Sequence, residues 1–180
     1  MFLSVKEMEL RKVRFDETFQ PGQIDFTDEG LEQGSPLHAV GSAELLAHSE
    51  GEVRVQGQYT VEMGAQCDRC LGRARFPLEA RFDLFYRPMQ SITREEEVRL
   101  KLDDTEIAFF EGDGLFLADV LAEQVLLAIP MKVICRSDCR GLCPHCGANL
   151  NNEECRCEKH SSDPRLAPLA RLKQDWFKKQ

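Results

Sequence analysis

Six cysteines fall between Cys135 and Cys157, and two more, Cys67 and Cys70, stand far upstream as a CDRC pair. No other feature restricts the chain so strongly. In a reducing compartment, thiols at short regular spacing serve as metal ligands more often than as disulfides. In the CPHCG segment, Cys143 and Cys146 are two residues apart and can reach one ion. Gly147 then permits the tight turn that leaves backbone N–H groups free to bond sulfur. Cys155 and Cys157 point the same way on an extended segment. These four have a ribbon-like spacing for one tetrahedral Zn2+. Cys67, Cys70, Cys135 and Cys139 remain for a second, so the expectation is one or two zinc ions. Cys139 could exchange roles with its neighbours. The competing reading is ordinary reduced thiols, with CDRC filling a hairpin tip.

Organisation follows from hydrophobic periodicity. Val53, Val55, Gly57, Tyr59, Val61 and Met63 alternate with polar residues. Ala74, Phe76, Leu78, Ala80, Phe82, Leu84 and Tyr86 do the same. Both runs read as half-buried strands of one antiparallel hairpin, with Cys67 and Cys70 near its tip. Leu37–Ala47 reads as a third strand. Met1–Leu10 and Val13–Phe26 read as further strands or strand-like arms around a turn at Pro21-Gly22. Residues 89–106 read as an acidic loop with a short strand at its end. Leu117, Val120, Leu121, Val125 and Ala128 recur at helical spacing before Pro130, which predicts a core helix over about 115–129. Asp163-Pro164 starts a last short helix.

The expected fold class is therefore α+β. An antiparallel, hairpin-rich β domain with its core helix spans 1–134, a cysteine-rich, zinc-ribbon-like module spans 135–160, and the last helix spans 163–178.

The chain's net charge of −8 is uneven: residues 1–130 carry −12 and residues 131–180 carry +4. A protein that coats nucleic acid everywhere is excluded, while a local phosphate contact by the basic C-terminal part is not. Arg165, Arg171, Lys173, Lys178 and Lys179 are candidates for such a contact, against a plainly solvated basic face. Neither an apolar run long enough for a membrane span nor a signal-like N-terminus stands out, so a cytoplasmic protein without membrane attachment is expected. No nucleophile–base spacing, glycine-rich phosphate loop or paired carboxylate suggests an enzyme or a small-molecule substrate. A thioredoxin-type CxxC needs a strand–helix context that the hairpin does not provide. Cys-Pro-His-Cys is also not the Pro-Cys-x-x-Cys order of zinc deaminases.

CDRCL at 67–71, CRSDCRGLCPHCGANLN at 135–151, CRC at 155–157 and DPRLAPLARL at 163–172 together resemble the bacterial YceD family. LLAIP at 126–130 also fits it. The resemblance implies a cytosolic, non-enzymatic factor needed for 23S rRNA to accumulate, with 23S rRNA or its precursor, or large-subunit ribosomal or assembly proteins, as partners. Joined to the zinc reading, it makes Arg136, Arg140, Arg156 and Lys159, beside Arg165 and Arg171, the expected RNA contacts. The alternative is a zinc-stabilised protein–protein adaptor without RNA contact. A redox sensor that releases zinc on oxidation comes third.

Overall fold

A computed structural model describes residues 1–26, 30–47, 49, 51–91 and 107–157. The acidic stretch at 93–97 and 103–104, and the helix expected over 163–178, lie outside the described residues. So do Lys159, Arg165 and Arg171. In chain order the elements are β1 (Phe2–Ser4), α1 (Val5–Leu10), β2 (Val13–Phe19), β3 (Glu32–Gln33), β4 (Leu37–Leu45), β5 (Val53–Gln66), β6 (Arg73–Pro88), β7 (Ile107–Phe110), β8 (Gly114–Phe116) and α2 (Leu117–Ala128). The fold is α+β and mostly strand.

The two alternating runs pair antiparallel in unbroken register from Val53↔Tyr86 to Gln66↔Arg73. This long hairpin is the centre of a sheet ordered β2-β4-β5-β6-β7, with β3 added to the tip end of β5 and β7 parallel to β6. Its inward face buries Val53, Val55, Tyr59, Val61 and Met63 from β5, with Ala74, Leu78, Phe82 and Tyr86 from β6. Leu117, Val120, Leu121 and Val125 of α2 complete the main core together with strand residues. Each such aliphatic side chain contributes about 1.5–3 kcal/mol by leaving water. The Tyr59 hydroxyl donates to the Gln124 carbonyl at 2.9 Å, which fixes α2 against β5. Gly57 interrupts the apolar face because it faces Gly41 across the strands. A Cβ at Gly41 would meet Phe15 Cζ at 2.5 Å, and one at Gly57 would meet Phe82 Cζ at 2.9 Å. The Gln56 and Val40 carbonyls stand closer still, so facing backbone and rings together occupy the room that side chains would need.

Three expectations are adjusted. Only Phe2–Ser4 of the first arm is extended, and Val5–Leu10 is helical, being rich in good helix formers with only Met8 buried. The second arm ends at Phe19. A turn follows in which Gly22 has φ +88°. The core helix begins at Leu117 rather than 115, because Gly114–Phe116 pairs with Phe2–Ser4. At its other end Ile129 turns extended, as the residue before a proline does.

The chain divides into two compact units, Met1–Cys139 and Arg140–Gln180. In the second, Leu142 bridges Asn149 antiparallel, and the Asn149 side chain accepts from the Asn151 backbone N–H at 3.0 Å. No helix among the described residues is long and apolar enough to cross a membrane.

Candidate metal centre

The eight cysteines form two groups of four. Cys67, Cys70, Cys135 and Cys139 come together in the first unit, and Cys143, Cys146, Cys155 and Cys157 in the second. Within each group all sulfurs lie within 4.8 Å of one another. A tetrahedral ion with metal–sulfur bonds near 2.3 Å would set its sulfurs roughly 3.8 Å apart. The Sγ–Sγ distances are 3.9 Å for Cys67–Cys139 and 3.7 Å for Cys70–Cys135. They are 3.6 Å for Cys146–Cys155 and 3.2 Å for Cys143–Cys155. None of the eight is in a disulfide. The donor sets and spacings fit two tetrathiolate sites that could hold metal ions.

The two CxxC segments are the same turn. The Leu71 N–H donates to the Cys67 carbonyl at 2.9 Å, and the Gly147 N–H donates to the Cys143 carbonyl at 2.9 Å. The Cys67 N–H donates to the Gly72 carbonyl at 2.7 Å, and the Cys143 N–H to the Ala148 carbonyl at 2.8 Å. Leu71 and Gly147 both take positive φ, +58° and +74°. The turn aims backbone N–H groups at the first sulfur. Burial opposes ionisation of the Cys67 thiol, but N–H groups of Arg69, Cys70 and Cys135 outweigh it and bring its pKa down to about 6. N–H groups of Cys146 and His145 bring Cys143 to about 6 likewise. In each group another thiol is held protonated. Burial and the neighbouring cysteines push Cys135 up to about 12, and its bond with Cys155 does the same to Cys157. A cation held by either group would favour the thiolate form of all four of its sulfurs.

The first group is welded to the hairpin by bonds the sequence does not announce. The Val133 N–H donates to Asp68 Oδ2 at 2.6 Å, and the Asp68 N–H donates back to the Val133 carbonyl at 2.9 Å. Cys135 N–H reaches Cys67 Sγ at 3.4 Å, and Arg69 Nη1 donates to the Cys139 carbonyl at 3.0 Å. Ala74 and Val133 join Cys67, Cys70 and Cys139 in a small buried cluster of their own. The second group is more open: Cys143 is buried, Cys155 half-buried and Cys146 exposed. His145 is outside both groups.

The cations expected to meet RNA are placed in part. Arg136 is exposed, with Nε 3.3 Å from Asp138 Oδ1, and belongs to the first unit. Arg140 and Arg156 are exposed in the second. The missed residues are Asp68, Val133 and Leu71. Only Leu71 left a readable signal, since CDRCLG and CPHCGA superpose residue for residue.

Fold and site together define an α+β protein built on a long hairpin, with two four-cysteine cradles able to take metal. Comparison with known proteins gives the family. Residues 55–173 match the model of the YceD family, described as large ribosomal RNA subunit accumulation protein, and the chain belongs to that family. An uncharacterised protein of Mycobacterium tuberculosis is 31% identical over 162 residues, 87% of this chain and 72% of that protein. The uncharacterised protein YlbN of Bacillus subtilis is 25% identical over 173 residues, covering 94% and 93%. A chloroplastic YCED homologue of Arabidopsis thaliana, named for large ribosomal RNA subunit accumulation, is 37% identical over 60 residues, 33% of this chain and 19% of that one. No solved structure matches. The family's description is that of an accumulation factor rather than an enzyme, and it supports a role in ribosome biogenesis.

Proposed function

We propose that this chain is a non-enzymatic factor that promotes 23S rRNA accumulation and large-subunit assembly, with one Zn2+ in each tetrad. Family membership over residues 55–173 is the observation that carries the reading. The zinc assignment draws support from all-thiolate donor sets at tetrahedral spacing, which suit zinc among common ions. A structural site of this kind supplies on the order of 10 kcal/mol of folding free energy, which a short segment such as 140–157 needs to hold a shape. The zinc-ribbon-like segment then presents Arg140 and Arg156, with Lys159, Arg165 and Arg171 further along the chain, to rRNA phosphates. Arg136 would add its charge from the first unit.

The test is ultraviolet crosslinking in cells followed by sequencing of RNA bound to the tagged chain. Enrichment of 23S rRNA at defined positions, lost when Arg136, Arg140, Arg156 and Lys159 are changed to alanine, is expected. Background crosslinking with large-subunit proteins still co-purifying would replace this reading with the adaptor. One observation favours that second reading: Arg136 already pairs with Asp138. The −12 charge of residues 1–130 points the same way, because it suits a basic protein better than a phosphate backbone.

A further inference from the structure

Three phenylalanines face outward along one edge of the first unit. Phe2 and Phe116 stand directly opposed in the β1–β8 register, their ring centroids 4.9 Å apart and tilted 57°. They are 42% and 58% exposed, and Phe109 on β7 is 42% exposed. Their strand neighbours Leu3, Leu115 and Phe110 are buried. The alternation therefore puts aromatic rings on the face where a solvated strand ordinarily carries polar groups. The three rings line one groove with Tyr86 and Val120. Exposed apolar surface gathered in this way marks an interaction site.

The groove's charge is one-sided. Glu111 and Asp113 lie in the turn between β7 and β8, Asp119 and Glu123 lie one turn apart on α2, and all four are exposed. Among the described residues no lysine or arginine lines the groove, although Lys6 approaches Asp113 to 3.9 Å from the side. Asp119 and Glu123, four residues apart on a helix, repel each other in the isolated protein. A cationic partner would relieve that repulsion.

We propose that this groove docks a lysine- and arginine-rich segment of a partner protein. Guanidinium and ammonium groups are attracted to the exposed ring faces and pair with the four carboxylates. Phosphate-bearing partners, RNA among them, are repelled by the same carboxylates. The proposal rests on the ribosome-biogenesis reading only in expecting the partner to be a basic ribosomal or assembly protein. Peptide binding tests the groove and rRNA crosslinking tests that reading, so the two can fail separately.

The experiment titrates a fluorescent peptide of lysine, arginine and interspersed leucine against the full chain, with an RNA oligonucleotide as competitor. Asp119→Asn with Glu123→Gln is one variant, and Phe109→Ser with Phe116→Ser is another. Each is expected to weaken peptide binding about tenfold or more, a loss of about 1.4 kcal/mol. Glu17→Gln with Glu79→Gln, carboxylates away from the groove, is expected to leave it unchanged. The proposal is overturned if both groove variants bind like wild type, if the control loses as much as they do, or if RNA displaces the peptide and its own binding depends on the same four residues.

Discussion

Leu71 holds the left-handed backbone that Gly147 holds in the other turn, and a side chain there costs about 1–2 kcal/mol. The two positions should therefore answer substitution with opposite signs. Gly147→Leu is expected to destabilise the second unit by about 1 kcal/mol. Leu71→Gly should be neutral or mildly stabilising, since Leu71 is largely exposed and relief of strain offsets the freedom that glycine adds to the unfolded chain. Denaturant midpoints of the two variants measure this, and an equal loss in both would show that Leu71 is held by contacts rather than tolerated. Asp68 acts differently. Its carboxylate accepts the Val133 N–H, so Asp68→Ala leaves that donor without its partner and is expected to cost about 1–2 kcal/mol. Thermal melts should record the loss, and if both tetrads hold zinc, competition with a chelator should empty the first sooner while the second is unaffected. Both residues sit inside motifs that are obvious in the sequence. Their roles are less so: the Leu71 backbone shows only in the match of CDRCLG to CPHCGA, and the Asp68 bond to a residue 65 positions away leaves no periodic trace.

At the scale of elements, what could be read was what repeats. Alternation over Val53–Met63 and Ala74–Tyr86 marked β5 and β6, and helical spacing from Leu117 to Val125 marked α2, because each element buries one face in the common core. The short pieces escaped. Helix α1 buries only Met8, and β8 is defined by its pairing with β1, which residues 114–116 do not reveal. The outward Phe109 and Phe116 were unreadable for a related reason, since neither Phe109-Phe110 nor Leu115-Phe116-Leu117 alternates with polar residues to say which side chain faces out. The contact of β5 and β6 with α2 also sets a pH limit. Both tyrosines of the chain are buried there. Burial raises the pKa of Tyr59. For Tyr86, burial and then the nearby Glu123 push it up to about 12. The folded state thus binds these protons more tightly than the unfolded chain, where tyrosine ionises near pH 10. The stability they contribute is fully present below about pH 10 and is lost as pH rises through about 12. Thermal midpoints are expected to fall across that window, and tyrosinate absorbance should appear together with loss of secondary structure rather than ahead of it.

The whole molecule is two compact units with one cysteine tetrad in each. With zinc in both tetrads, Cys143→Ser is expected to release one ion and melt the second unit alone. Truncation after Cys139 should leave a cooperative melt and one bound zinc. Metal-to-protein ratios and heteronuclear spectra measure this, and uniform loss of structure in either case would refute independent units. The clamp between Asp68 and Val133 has a further consequence, in the time of synthesis. The hairpin is complete once Pro88 has been made, but the partner of its tip comes 45 residues later. At ordinary translation rates of about 5–20 residues per second, that is an interval of about 2–9 s. During it the sheet can form while Cys67 and Cys70 remain uncovered, so the nascent chain depends on the cell's reducing power before its own structure can protect them.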